Sequence, residues 1–215
     1  MDAATSVYAF LLKGGWLVWP ILLCSVMGLG IFLERLFYIA RLRRADSQLL
    51  GQVATHDTKK GMERLLCHLR GAHGPLSHML LDAASLASQD IKAVETVLDH
   101  HMDVQVGIAS RHLDFMATLA AVSPLLGLLG TVTGLIRAFM VIERAGGQVN
   151  AALLAGGIWE AMLTTALGLG VAIVLIIGHR FLISRIKMLE EDLQRAAFLF
   201  LKAMWGKDKV EVEVQ

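Results

Sequence analysis

The chain alternates between long apolar runs and polar segments, and three of the runs carry no charged side chain. They cover residues 14–33, 115–136 and 161–178, and contain 20, 22 and 18 residues. A helix of about 20 residues, rising about 1.5 Å per residue, crosses the hydrocarbon core of a bilayer. The third run reaches this length when it begins at Gly156 and includes Glu160. Buried helices of a soluble bundle are typically shorter and carry a polar stripe, so the pattern predicts three transmembrane helices.

The segments between and after the runs show helical periodicity. Between the first two runs, apolar residues recur at three- and four-residue steps, at Ile91, Val94, Val97, Leu98, Val104 and Ile108. The sequence GAHGP at 71–75 interrupts this segment, so we expect a helical hairpin there. After the third run the same spacing continues at Ile186, Leu189, Leu193, Ala196 and Phe200. This spacing predicts that the third helix continues for several turns beyond the membrane.

Basic residues set the expected orientation. Segments 34–114 and 179–215 hold most of the lysines and arginines, whereas the connection between the second and third runs holds Arg137 and Arg144. The positive-inside tendency then places the N-terminus outside, and the long segment and the C-terminal tail inside. The expected order is an outside N-terminus (1–13), first span (14–38), inside helical loop (39–114), second span (115–138), short outside connection (139–155), third span (156–178) and inside helical extension with a loose tail (179–215).

Composition favours a membrane protein and argues against other classes. Hydrophobic residues make up 55% of the 215 residues, against about 45–50% in soluble domains. The net charge of +1 gives no basis for nucleic-acid binding. Cys24 lies in a span and Cys67 in the inside loop, so we expect no disulfide between them. The predicted fold class is all-α, an integral membrane protein with three transmembrane helices and long helical extensions on the inside.

Glu160 is the ionisable residue of the third span, and Thr164 and Thr165 follow one turn later. A charge at the centre of a bilayer costs about 2.5–3.5 kcal/mol on insertion scales, so it is rarely kept without water or a partner. On a helical wheel these three residues share one narrow face with Gly168 and Ala172, and bulky residues fill the opposite side. The arrangement predicts ion movement through the membrane. Snorkelling of the Glu160 carboxylate to the outer interface is the alternative.

The second span has a similar face of small residues. Ser123 lies on this face with three glycines, Thr131 borders it, and Thr133 points elsewhere. Threonines in spans often bond to a carbonyl of their own helix, so each hydroxyl is only a candidate for lining a path. Small residues at four-residue steps commonly mark close helix approach. We assign that role to Gly127, Gly130, Gly134, Gly168 and Ala172.

Other chemical signatures are weak in this sequence. His68, His73 and His78 share no helix face, and the adjacent His100 and His101 lack a third ligand, so we expect no metal site. The glycines lie in spans rather than at a strand–helix junction, which argues against a phosphate-binding loop. We find no nucleophile elbow and no paired carboxylates within a span. We therefore predict no cofactor, no catalytic residue and no enzyme activity.

Three blocks of the sequence resemble the MotA/TolQ/ExbB proton channel family. They are GGWLVWPILLCSVMGLGIFLERL, LAAVSPLLGLLGTVTGLIRAF and GGIWEAMLTTALGLGVAI, which begin at Gly14, Leu119 and Gly156. The first block is more similar to the ExbB members of the family than to the TolQ members. Three spans rather than four disfavour the flagellar stator protein MotA.

This resemblance implies a homo-pentameric pore in the bacterial inner membrane, built around a dimer of a single-span, ExbD-like partner. The membrane aspartate of the partner would carry the proton, and the complex would drive a TonB-like protein in uptake across the outer membrane. The pore threonines of the family correspond to Thr131 and Thr165, and its membrane glutamate to Glu160. Thr164 is a further candidate for the pore lining, because the helical wheel places it on the same face as Glu160. A TolQ-like motor for envelope maintenance and a non-conducting membrane scaffold stay as alternatives.

Overall fold

The computed structural model describes residues 14–55, 69, 71, 74–86, 90–144 and 151–205. For residues 43–55 and 151–154 it describes the backbone alone. The described residues form helices α1 (Val18–Thr55), α2 (Pro75–Ser85), α3 (Ile91–Ser110), α4 (Leu113–Arg144) and α5 (Ala151–Trp205). The fold of this part of the chain is therefore all-α, as predicted. The expected outside N-terminus at 1–13, Cys67 and the loose end of the tail lie outside the described residues.

Within the described residues, three helices are long and apolar enough to cross a membrane, which agrees with the three predicted spans. The apolar stretch of α1 runs over Val18–Leu42, and the other two belong to α4 and α5. Helix α4 is longer than the predicted span at both ends, and α5 continues to Trp205, as the periodicity after the third run predicts. The positions of the membrane surfaces and the orientation of the chain stay predictions.

Helix starts and interruptions follow the positions of proline and glycine. Pro20 lies in the first turn of α1, where its missing N–H is tolerated because the first helical N–H groups have no partner within the helix. Helix α2 begins at Pro75, inside the predicted GAHGP break. Ser77 Oγ accepts a hydrogen bond from the Gly74 N–H at 3.1 Å and donates one to the Gly74 carbonyl at 2.7 Å. This local capping fixes the start of α2.

The chain divides into two compact units, which we describe separately. The span unit is formed by the described residues within 1–33 and 112–181, and the loop unit by the described residues within 34–111 and 182–215. In the span unit, α4 buries mostly small side chains, at Ala120, Ser123, Gly127, Gly130, Gly134 and Ala138. Bulky side chains on the same helix are exposed, at Leu125, Leu128, Leu129, Val132, Leu135, Ile136 and Phe139.

The loop unit has a conventional apolar core. Helix α2 packs against α3. The five positions of α5 that the spacing predicts are all buried, at Ile186, Leu189, Leu193, Ala196 and Phe200, and Leu182, Ala197 and Leu201 are buried with them. The predicted apolar face of α3 is only partly buried. Ile91, Val94 and Leu98 are in the core, whereas Val104 and Ile108 are exposed within this chain. Periodicity gives the face of a helix but not the length over which a neighbour covers it.

Arg35 ties two segments of the loop unit together at the inner end of the first predicted span. Its guanidinium is buried, and Nη1 donates a 2.8 Å hydrogen bond to the Ile108 carbonyl in the last turn of α3. Nη2 pairs with Glu34 Oε1 at 2.9 Å. A cation is favourable here because the last carbonyls of a helix carry partial negative charge.

Candidate functional site: the α4–α5 seam

Helices α4 and α5 meet along a line of small residues, which we call the seam. On α4 the seam is formed by Gly127, Gly130 and Gly134. A Cβ at Gly127 would lie 3.0 Å from the Thr164 carbonyl oxygen, and one at Gly134 would lie 2.8 Å from the Gly157 carbonyl oxygen. Such contact between backbones is possible only without side chains between them. These glycines therefore allow α4 and α5 to pack at close range.

The α5 side of the seam is built in the same way. A Cβ at Gly168 would clash with the Ser123 carbonyl and with the backbone of Gly127. Ser123 itself is fully buried, and its hydroxyl donates to the Leu119 carbonyl at 2.7 Å, so it is satisfied within α4. Ala172 is also buried. The structure thus brings four of the five predicted packing residues, Gly127, Gly130, Gly134 and Gly168, to contacts between the two helices.

Thr165 forms a hydrogen bond across the seam. Its hydroxyl donates to the Gly127 carbonyl of α4 at 3.0 Å and lies 3.3 Å from the Ala161 carbonyl of its own helix. Gly127 has no side chain to hold α5 away, so the Thr165 hydroxyl can reach its carbonyl. Thr165 keeps part of its surface exposed in the single chain. Of the three threonines predicted for the path, it is the one that links both helices.

The other two predicted threonines bond within their own helices. Thr164 is 0% exposed, its side chain lies against Gly130, and its hydroxyl donates to the Ala161 carbonyl at 2.9 Å. Thr131 is half-buried, and its hydroxyl donates to the Leu128 carbonyl at 2.6 Å. The wheel placed Thr164 on the face of Glu160, and the packing of α4 fills the space in front of it. A role for Thr131, Thr164 or Thr165 in a path stays a prediction.

Glu160 lies near the connection end of the seam, the end at which residues 145–150 join α4 to α5. Its Oε1 accepts a hydrogen bond from Arg137 Nη1 of α4 at 2.6 Å, and the two groups form an ion pair. The side chain of Glu160 is 18% exposed and that of Arg137 is 49% exposed. Such charge-assisted hydrogen bonds are among the stronger ones in proteins.

The ion pair is the feature of this site that the sequence reasoning missed. Arg137 entered that reasoning only as one of two basic residues near the short connection. A usable signal was present, because Arg137 lies seven residues before the end of α4 and Glu160 lies nine residues after the start of α5. Residues at similar distances from a short connection reach similar depths in an antiparallel pair.

Among the described residues, no group of three or more His, Cys, Asp or Glu is placed to hold a metal ion. His101 Nε2 lies 2.9 Å from Asp82 Oδ2 in the loop unit, which joins α3 to α2. His68 and His73 lie outside the described residues. The polar groups that we describe along the seam are therefore a carboxylate, a guanidinium and hydroxyls.

These observations define the class of protein first. The described residues include three membrane-length helices that expose bulky apolar side chains, and two of these helices are joined by a seam with a partly exposed polar edge. Such helices are those of a multi-pass helical membrane protein. The sequence model of the MotA/TolQ/ExbB proton channel family matches residues 59–195. The chain belongs to the MotA/TolQ/ExbB proton channel family.

Individual relatives agree with the ExbB type within this family. The chain is 35% identical over 178 residues to a biopolymer transport protein of Synechocystis named ExbB-like 1, covering 80% of the chain and 69% of that protein. It is 26% identical over 204 residues to an ExbB homolog of Methanothermobacter thermautotrophicus, covering 94% and 71%. The Tol-Pal protein TolQ of Haemophilus influenzae is 35% identical over 102 residues, covering 47% and 44%. The two ExbB matches therefore extend over more of both chains than the TolQ match does.

Proposed function

We propose that this chain is the channel-forming subunit of a proton-driven motor in the bacterial inner membrane, and that it energises TonB-dependent transport across the outer membrane. In this proposal five copies surround a dimer of a single-span, ExbD-like partner, with the N-terminus in the periplasm and the C-terminus in the cytoplasm. The partner carries the titrating carboxylate, and this chain supplies the hydrated, polar surface along which that carboxylate moves.

One observation carries the proposal: polar groups are collected at the edge of the seam in helices that are otherwise apolar on the outside. The Thr165 hydroxyl bridges to the Gly127 carbonyl, and the Glu160 carboxylate lies on the same helix one turn before it. Both side chains keep partial exposure in the single chain. Partly exposed polar groups at membrane depth are expensive when they face lipid, and they are typical of ion pathways.

The cost of burying the charge and the free energy supplied by the membrane potential are of similar size in the proposed step. When the carboxylate of the partner releases its proton, a neutral buried acid becomes a buried charge, which changes its burial free energy by a few kcal/mol. Moving one charge through the membrane potential supplies about 2.3 kcal/mol per 100 mV. Proton binding and release can therefore move the partner inside the ring, and no covalent chemistry is needed.

The exposed apolar surface of the spans supports an assembly in the membrane. Helix α4 exposes bulky side chains over several turns, and α5 does so at Met162, Leu169, Ile173, Val174, Ile176 and Ile177. These faces suit acyl chains and neighbouring helices. The residues of the seam, by contrast, contact each other within one chain. The polar edge at Thr165 and Glu160 is therefore the part of the seam that is available to a proton path.

The test replaces single hydroxyls in a strain that depends on this chain for TonB-dependent uptake. Thr165→Val removes the hydrogen bond to Gly127 and should abolish energy-dependent uptake while the complex still assembles. Thr133→Val is the matched control, because Thr133 donates only to the Leu129 and Gly130 carbonyls among the bonds described for it. Normal uptake with Thr165→Val would contradict the proposal.

Complementation of two different strains decides between the ExbB-like and TolQ-like functions. The similarity to TolQ of Haemophilus influenzae motivates this second candidate. We expect the chain, produced with its own single-span partner, to restore TonB-dependent uptake in a strain without its ExbB system. Restoration of envelope integrity in a strain without TolQ, with no effect on uptake, would instead establish the TolQ-like function.

A further inference from the structure

The ion pair between Arg137 and Glu160 has an unusual third neighbour, the backbone at the start of the first span. Gly15 has φ 70, in the left-handed region that favours glycine. A Cβ at this position would overlap the Glu160 carboxylate and would lie 3.4 Å from Arg137 Nη1. The Glu160 carboxylate is therefore enclosed between a guanidinium from α4 and the backbone of Gly15.

This enclosure is not needed to join α4 to α5. The seam already holds the two helices together through Gly127, Gly130, Gly134 and Gly168, all of them in direct contact with the facing helix. Arg137 lies at the end of this contact and keeps half of its side chain exposed. The position of Arg137 is therefore better explained by its ion pair with the Glu160 carboxylate than by helix packing.

A carboxylate of low exposure needs a positive partner. Without one, it binds either a proton or a metal cation from the surrounding water, because an isolated buried charge is strongly disfavoured. A guanidinium meets this need permanently, since it stays protonated in proteins and presents several donors in a fixed geometry. A metal ion that approaches Glu160 therefore meets a carboxylate whose Oε1 already accepts a hydrogen bond from Arg137. The positive charge of Arg137 also offsets the negative charge of this carboxylate.

We propose that Arg137 is a specificity-determining residue that excludes metal cations from the pathway beside Glu160. This inference rests on the proposed function and deepens it. A proton passes along hydroxyls and water by exchange of hydrogen bonds. A sodium or potassium ion must instead exchange its hydration shell for oxygen ligands. Arg137 withholds the carboxylate from such an ion, and Gly15 allows the carboxylate to stay against Arg137.

The experiment measures ion selectivity in liposomes that contain the chain with its single-span partner. Wild type should carry proton flux and no sodium or potassium flux. Arg137→Gln leaves the carboxylate uncompensated, and sodium or potassium flux should rise to about tenfold or more above the leak of protein-free liposomes, because an unscreened unit charge attracts a nearby cation strongly at low dielectric. Arg137→Lys keeps a cation beside the carboxylate and should restore the exclusion. The double variant Arg137→Gln with Glu160→Gln should again exclude both metal ions.

A second variant tests the inference without changing any charge. Gly15→Ala places a Cβ where the carboxylate lies, so it should separate Glu160 from Arg137 and admit sodium or potassium. Gly30→Ala is its control, because a Cβ there meets nothing within 4 Å. If Arg137→Gln fails to assemble, Gly15→Ala decides the matter in the same assay.

The two proposals fail in different ways. A wild-type complex with no proton flux would refute the proposed function. A complex that carries protons, but whose Arg137→Gln and Gly15→Ala forms still exclude sodium and potassium, would overturn the role of Arg137 alone.

Discussion

The single helix α5 buries different kinds of residue in the two units of the molecule. In the span unit it buries mainly small residues, such as Thr164 and Gly168, together with Leu163 and Leu175, and most of its bulky residues, such as Ile177, are exposed. In the loop unit it buries mainly bulky residues, such as Leu193 and Phe200. The balance between small and bulky buried residues therefore changes along one continuous helix.

This difference is expected, because different forces stabilise the two units. In the loop unit, burial of leucine and phenylalanine removes apolar surface from water, which stabilises the fold by roughly 1.5–3 kcal/mol per side chain. Lipid is as apolar as leucine, so the span unit gains little from burying bulky groups. It relies on close contact between backbones and on hydrogen bonds such as that of Thr165 to Gly127. The same substitution should therefore have unlike effects in the two units.

The largest effect is expected in the core of the loop unit. Phe200→Ala removes a side chain that is 0% exposed and should lower the free energy of unfolding by about 3–5 kcal/mol. Phe198→Ala is the matched control two residues earlier on the same helix, because Phe198 is 51% exposed. Thermal unfolding of the detergent-solubilised protein, followed by circular dichroism, measures both. Equal losses from the two variants would contradict the packing described for this unit.

A smaller effect is expected at the seam. Gly168→Ala inserts a Cβ against the Ser123 carbonyl, and overpacking of this kind should destabilise the α4–α5 contact by about 1–3 kcal/mol.

Gly170→Ala is the control for this substitution, since a Cβ at Gly170 meets nothing within 4 Å. Alanine is favoured over glycine inside a helix by about 0.5–1 kcal/mol, so this variant should be neutral or stabilising. Thermal unfolding of the same preparation compares the two. A Gly168→Ala protein as stable as Gly170→Ala would show that the seam tolerates a wider separation of the helices.

Much of the fold can be predicted from the sequence, because the patterns that determine it lie within single segments. Uncharged runs of membrane length give the three spans, Gly74 and Pro75 mark the start of α2, and the spacing through Phe200 gives the extension of α5. Each of these depends on one segment alone. The partial exposure of Val104 and Ile108 was not predictable in this way, since burial depends on neighbouring helices and not on one segment alone.

The candidate site was harder to predict from the sequence, because it depends on how the helices pair. A wheel of the third span groups Glu160 with Thr164, but it cannot show that α4 covers Thr164 and leaves Thr165 at the edge. The partnership of Arg137 with Glu160 needs the register of two antiparallel helices. The contact of Gly15 with the carboxylate needs the start of a third helix as well.

Proton flux through the purified complex tests the central claim most directly. The chain and its single-span partner are placed in liposomes, a membrane potential is imposed, and internal pH is followed with a dye. We expect potential-driven proton entry with wild type and none with Thr165→Val. Absence of flux from the wild-type complex, or undiminished flux through Thr165→Val, would contradict a proton path along this edge of the seam.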